Sequence, residues 1–301
     1  MSESLVRREP RTLGPHLKVG PLAFGCWRLV NMPSSHARER VETALDVGMN
    51  LVDTADVYGL DWGGSGFGAA EELLGSVLSE APALRDRMVL ATKGGIRPPI
   101  PYDSSDVGLR AACEASLKRL GVERIDLYQI HRPDLYVHPA ELADTLDRLR
   151  GDGKILEVGV SNHTPAQVDA LRAHLPFPIV SNQPEFSAGC LAPMRDGTFD
   201  QCMQHGTTPL AWSPLGGGDL VSGKGVRPEL MSTLDRIAKR EGVSRATLCI
   251  AFVLAHPSAP VAVLGSMNLE RIRGASSALG VRLEREDVYA IVQASEGVSL
   301  P

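Results

Sequence analysis

Short apolar runs alternate with amphipathic segments from about residue 20 to residue 280. The runs lie at 21–24, 50–53, 88–92, 125–130, 155–161, 179–182, 209–212 and 261–264. Each is too short for an ordinary globular helix. Several are rich in Val, Ile and Leu, as strands buried on both faces should be. Between them the spacing turns helical. Leu109, Cys113, Ser116, Leu117 and Leu120 fall on one face, and Gly121 supplies the stop. Val41, Ala44 and Leu45 do the same after Ser34-Ser35, with Gly48 as terminator, and Leu142, Leu146 and Leu149 form a stripe ended by Gly151. Thr164-Pro165 reads as an N-cap followed by proline at the first helical position, leading into Val168, Leu171 and Leu175.

Eight strand candidates with helices between them predict an α/β protein with a parallel sheet and helices outside it. Periodicity alone also allows an open doubly wound sheet. Eight repeats in this length favour closure into a (β/α)8 TIM barrel, and nothing resembling G-x-G-x-x-G follows the first strand. The segment 12–19, with Gly14-Pro15 at its centre, predicts an N-terminal β-hairpin at the bottom of the barrel. No low-complexity linker interrupts the pattern, so residues 1–301 are expected to form one barrel domain.

Composition narrows the partners. Hydrophobic residues make up 43% and charged ones 22%, as in a soluble globular protein. No apolar run is long enough for a membrane span, and the polar segment 1–11 lacks the apolar core of a signal peptide. A formal net charge of -5, with Lys and Arg scattered, argues against nucleic acid. The five cysteines (Cys26, Cys113, Cys190, Cys202, Cys249) form no CxxC pair and have no histidines at zinc-finger spacing. No metal site is expected; most of these thiols are expected to be buried, in a protein of the cytoplasm.

In such a barrel, chemistry sits at the C-terminal ends of the strands. Asp53 ends the second run with Tyr58 just beyond, Lys93 follows the third, and His131 follows the fourth. Taken singly, each has an ordinary reading as a cap, a turn or a solvated loop residue. Together they place an acid, a phenol, an amine and an imidazole on one rim. Reducing a carbonyl requires a hydride and a proton for the developing alkoxide. A phenol is a weak acid catalyst at neutral pH unless its surroundings help, and a nearby ammonium favours its ionised form. A carboxylate would keep that ammonium charged, and an imidazole aimed at the carbonyl oxygen would orient it.

At this point the sequence resembles the aldo-keto reductase superfamily over nearly its whole length. The most specific motif is Asn50-Leu51-Val52-Asp53-Thr54-Ala55-Asp56-Val57-Tyr58-Gly59, followed by Glu71-Glu72-Leu73-Leu74-Gly75. Ala91-Thr92-Lys93 and Asp126-Leu127-Tyr128-Gln129-Ile130-His131 resemble the family's segments for its catalytic Lys and His. The resemblance implies an NADPH-dependent reductase of aldehydes or ketones. Tyr58 would be the proton donor, His131 would orient the substrate, and Lys93 with Asp53 would tune the Tyr. It also implies an alternative, because the family includes nucleotide-binding regulatory or redox-sensor proteins with little turnover.

The cofactor segments match as well. Gly159-Val160-Ser161-Asn162 resembles the family's nicotinamide site, implying Ser161, Asn162 and Gln183 as hydrogen-bond partners. Ala211-Trp212-Ser213-Pro214-Leu215 resembles the segment whose ring stacks on the nicotinamide. Ser213, Leu215, Gly216 and Gly217 would then lie along the pyrophosphate, and Gly25, Cys26 and Trp27 would border the ribose or the substrate. The segment from Val263 to Arg271 aligns with the 2′-phosphate site. Ser266 and Arg271 match there, but Gly265 stands where many members carry Lys, and Ala275 where many carry Asn. NADPH is expected in preference to NADH, with Arg271 as the phosphate partner. Trp27, Tyr58, Trp62 and His131 are the expected substrate pocket, with Tyr102 and Tyr136 as outlying wall or surface candidates. The glycine-rich loop 60–68 is a candidate cover, and the tail after the eighth strand reads as short and polar.

Overall fold

The computed structural model describes residues 4–60 and 62–300. It opens with β1 (Arg11–Leu13) and β2 (Leu17–Val19), an antiparallel pair. There follow β3 (Leu22–Gly25), α1 (Ser34–Asp46), β4 (Leu51–Asp53), α2 (Ala69–Glu80), β5 (Val89–Gly94) and α3 (Asp106–Leu120). Next come β6 (Ile125–Ile130), α4 (Pro139–Gly151), β7 (Ile155–Ser161), α5 (Pro165–Arg172), β8 (Ile179–Gln183) and α6 (Thr198–His205). The chain continues through β9 (Thr208–Ala211), α7 (Asp219–Ser222), α8 (Pro228–Glu241) and α9 (Arg245–Leu254). It ends with β10 (Val261–Leu264), α10 (Leu269–Gly274) and α11 (Arg285–Glu296). Strands β3 to β10 close into a parallel barrel, β10 pairing with both β9 and β3. The eight predicted runs are these eight strands.

Two apolar layers hold the barrel. Between the sheet and the helices, side chains such as Phe24, Val52, Leu90, Ile130 and Val160 pack against Val41, Leu74, Leu109, Leu146 and Val168. Inside the barrel a smaller cluster gathers Ala23, Leu51, Ala91, Leu127, Val180, Leu210 and Val261. Leu13, Leu17 and Val19 of the β1–β2 hairpin belong to that inner cluster, so the hairpin plugs the barrel from below, as expected. Its turn demands glycine. Gly14 has φ of 60°, and a Cβ there would meet Val180 Cγ1 at 2.6 Å.

Local signals mostly act where the sequence places them. Gly121 adopts the left-handed conformation after α3, and Thr164 and Gln167 form a reciprocal capping box ahead of α5. The tail departs from expectation. After β10 it carries α10 and α11, and α11 buries Ile291 and Val292 and packs on α8. Its polar composition belongs to the outer face of an amphipathic helix, while a few spaced apolar residues anchor the inner face.

Candidate active site

Parallel strands of a barrel all deliver their C-terminal ends to one rim, and the register fixes which residues meet there. Gly25 pairs with Asp53, and Asp53 pairs with Ala91, so Asp53 lies level with the residues just before Lys93. Strand β5 extends past the predicted run to Gly94 and carries Lys93 within it. The fully buried Lys93 Nζ donates to Asp53 Oδ2 at 2.7 Å, to the Thr54 carbonyl at 2.9 Å and to the Tyr58 hydroxyl at 3.1 Å. These three bonds use all the protons of the ammonium. The second oxygen of Asp53 accepts from Gln129 Nε2 and Gln183 Nε2, each at 3.1 Å. A buried ion pair is tolerable when its remaining polar atoms are bonded in this way.

The electrostatics follow from burial and from this pair. Burial works against the Lys93 charge, but Asp53 and Tyr58 more than offset it, and the pKa moves up. The amine is therefore an ammonium throughout the neutral range. Burial pushes the Tyr58 phenol above its ordinary value; Lys93 pulls it down and Asp53 adds to the rise. Lys93 thus acts on the phenol in the expected direction, but desolvation outweighs the ammonium. His131 is 9% exposed, and its ring meets that of Tyr58 edge-on with centroids 5.8 Å apart. Burial, Lys93 and Arg132 hold its pKa well below the usual histidine range, so the imidazole is neutral. Its Nδ1 is buried and has no hydrogen-bond partner among the described residues.

A second group sits at the ends of β7, β8 and β9. Ser161 Oγ donates to the Gln183 carbonyl at 3.0 Å, Asn162 Nδ2 donates to Ser161 Oγ at 2.8 Å, and Trp212 Nε1 donates to Asn162 Oδ1 at 3.0 Å. Asn162 and Ser213 hold positive φ values of 56° and 51°, unusual for residues with a Cβ. Beyond Leu215, Gly216, Gly217 and Gly218 have φ of 57°, 68° and 114°. Such a run exposes backbone amides in a way that residues with side chains rarely can.

The remaining expected residues spread outward along the rim. Trp27 and Trp62 meet with centroids 4.6 Å apart and their planes tilted by 38°, and the Arg28 guanidinium lies 5.1 Å and 5.0 Å from their ring centres. This contact ties the loop beyond Tyr58, of which Asp61 lies outside the described residues, to the end of β3. Cys26 lies close enough to Asp53, Lys93 and Tyr58 to feel their charges. It is fully buried in the outer apolar layer, and burial raises its thiol pKa, which leaves only its backbone for a ligand. Tyr136 is a surface residue at 97% exposure, while Tyr102 is 36% exposed.

Beyond β10, the half-buried Gly265 accepts from Arg28 Nη1 through its carbonyl at 3.4 Å. Arg40 Nε from α1 donates to the Met267 carbonyl at 2.9 Å. Arg271 is exposed, with no side-chain partner among the described residues, and Ser266 is half-buried beside it. Two guanidinium groups, of Arg28 and Arg40, thus bond to the segment where the missing Lys stands out, and Arg271 follows it in α10. Sequence reasoning missed Gln129, Arg28 and Arg40. Gln129 was findable, since it lies two residues before His131 on the same inward-facing set of β6. Arg28 and Arg40 carry no periodic signal; only the fold brings them there.

Comparison with known proteins places this geometry. The family model described as the aldo/keto reductase family matches residues 21–296. A 6-dehydroglucose reductase of Novosphingobium aromaticivorans is 46% identical over 288 residues, covering 95% of this chain and 94% of that protein. A second protein of that name, from Agrobacterium fabrum, is 35% identical over 291 residues, covering 93% and 95%. Among solved structures, a glycerol dehydrogenase of Gluconobacter oxydans superposes with a TM-score of 0.84 at 27% identity, covering 97% of each chain. A thermostable aldo-keto reductase in complex with the inhibitor epalrestat has the same fold, with a TM-score of 0.81 at 24% identity over 95% of this chain and 99% of the other.

Proposed function

Because the chain belongs to the aldo/keto reductase family, we propose that it reduces an aldehyde or ketone to the alcohol with NADPH, with Tyr58 as the proton donor. NADPH supplies the hydride. The chain's own residues supply the rest. The neutral His131 donates a hydrogen bond to the carbonyl oxygen and fixes its direction. Tyr58, a phenol protonated at neutral pH whose pKa burial raises further, gives its proton to the alkoxide as it forms. Lys93 then stabilises the phenolate left behind, from 3.1 Å, and Asp53 holds Lys93 in place. The observation that carries this reading is the Tyr58–Lys93–Asp53 chain of bonds with a neutral imidazole across the ring edge.

The cofactor assignment rests on fit. Trp212 offers a half-buried aromatic face whose indole N–H is already fixed by Asn162. Ser161, Asn162 and the oxygen of Gln183 would meet the carboxamide; the nitrogen of Gln183 is committed to Asp53. Ser213, Leu215, Gly216 and Gly217 would hold the pyrophosphate. Ser266 and Arg271 would meet the 2′-phosphate, with Arg28 and Arg40 close enough to Gly265 and Met267 to replace the missing Lys charge. The two relatives named 6-dehydroglucose reductase make sugar-derived aldehydes the first substrates to try. NADPH and NADH are to be compared by quenching of tryptophan fluorescence, and their oxidation followed with a panel of aldehydes. Tighter binding of NADPH with aldehyde-dependent oxidation supports the proposal. Binding without turnover across the panel would remove the enzyme reading.

A further inference from the structure

Arg132 directly follows His131 and is half-buried, yet among the described residues it makes no side-chain hydrogen bond or ion pair. Glu185, two residues beyond Gln183 at the end of β8, is in the same condition. Its backbone is pinned to the Trp212 segment by an isolated bridge, with Phe186 N donating to the Trp212 carbonyl at 3.2 Å. Both therefore stand on the rim that carries His131, Gln183 and Trp212. They also feel each other: burial raises the Glu185 pKa and Arg132 opposes that rise, while Arg132 helps to depress His131. Most partly buried arginines and glutamates on this molecule are paired, as Arg119 is with Glu71 and Arg85 with Asp126. A guanidinium and a carboxylate left without protein partners on this rim are free to bond a ligand held there.

We infer that Arg132 and Glu185 are the residues that recognise the substrate beyond its carbonyl, donating to and accepting from hydroxyl groups of a neutral polyhydroxylated aldehyde. This rests on the reductase reading and deepens it. Arg132 alone would suit an anionic substrate. Glu185 on the same rim cancels that charge and adds an acceptor, and hydroxyls, which both donate and accept, suit such a pair. Discrimination of this kind is strong, because an analogue lacking the hydroxyl leaves both groups unpaired.

The test compares D-glyceraldehyde, propanal and succinic semialdehyde as substrates with NADPH, in the wild type and in Arg132→Ala, Arg132→Lys and Glu185→Gln. The wild type should prefer glyceraldehyde over both others. Arg132→Ala should lower the glyceraldehyde-to-propanal ratio of kcat/KM by about ten-fold or more, mainly through KM, with partial recovery in Arg132→Lys. Glu185→Gln should shift preference towards succinic semialdehyde. Equal losses on glyceraldehyde and propanal would show a structural role and overturn the proposal, as would a wild type that prefers the anionic aldehyde. Glycerol binding, read by tryptophan fluorescence, separates this proposal from the one it rests on. Weaker glycerol binding in Arg132→Ala supports recognition even if no aldehyde turns over. Equal binding in both proteins removes recognition even if reduction proceeds.

Discussion

Lys93 loses nearly all contact with water and in return makes three bonds, one of them to a carboxylate that is itself saturated by Gln129 and Gln183. In the proposed reaction it would act as a fixed charge beside the phenol. Lys93→Met would leave Asp53 buried and unpaired, so the variant should lose turnover by orders of magnitude. It should also be less stable by about 3–5 kcal/mol, as when one partner of a buried pair is removed. Thermal unfolding beside steady-state kinetics checks both. The pH profile is a second expectation at this scale. With His131 depressed well below its usual range and Tyr58 raised, neither group changes charge near neutrality. Carbonyl reduction should be flat from about pH 6 to pH 9, given ordinary values near 6.5 and 10. An inflection near 6.5 that disappears in His131→Asn would show that the imidazole titrates and would contradict its assigned neutral state.

At the scale of elements, α2 and α3 cross closely because Gly75 has no side chain; a Cβ there would collide with the Arg119 carbonyl oxygen. Gly75→Ala should cost about 1–3 kcal/mol through overpacking against backbone that cannot yield. Thr164→Ala removes half of the capping box on α5 and should cost about 1 kcal/mol. Urea unfolding resolves the two. These elements also show why the sequence was readable. Strand periodicity and the signals at Gly121 and Thr164 are local, and the Asp53-to-Tyr58 motif lies in one short stretch. The partners of Asp53 are a different matter. Gln129 and Gln183 come from separate strands, and Arg28 reaches Gly265 across 237 positions, so only barrel closure reveals them. Burial likewise decided the direction of the Tyr58 pKa, and burial depends on packing that no local pattern records.

Over the whole molecule, the closed barrel leaves no open sheet edge and the hairpin seals its lower end, so the rim at the strand C-termini is where irregular backbone collects. Among the described residues, no helix is long and apolar enough to cross a membrane. Away from the active site, the buried His163 and the half-buried His256 tie global stability to pH. Burial holds His163 and His256 at about 4, both below the ordinary value near 6.5. Between those limits the unfolded chain binds protons that the folded chain does not. Stability from these sites is full above about 6.5 and is lost as pH falls towards 4, by up to about 1.4 kcal/mol per pH unit for the buried His163 and by less for the partly exposed, solvent-screened His256. Unfolding between pH 7 and pH 4.5 should show this loss, smaller in His256→Gln. An unchanged pH slope in that variant would remove His256 from the account.

In the proposed reaction Tyr58 gives the proton and does little to hold the cofactor. The most direct measurement is Tyr58→Phe, which removes one oxygen and keeps the ring beside His131, assayed for both turnover and NADPH affinity. In this variant kcat should fall by about 10²–10⁴-fold, the range for loss of a general acid, while the Kd for NADPH should change by less than about three-fold. Retained turnover, or a loss of cofactor affinity as large as the loss of turnover, would contradict the proposed role of Tyr58.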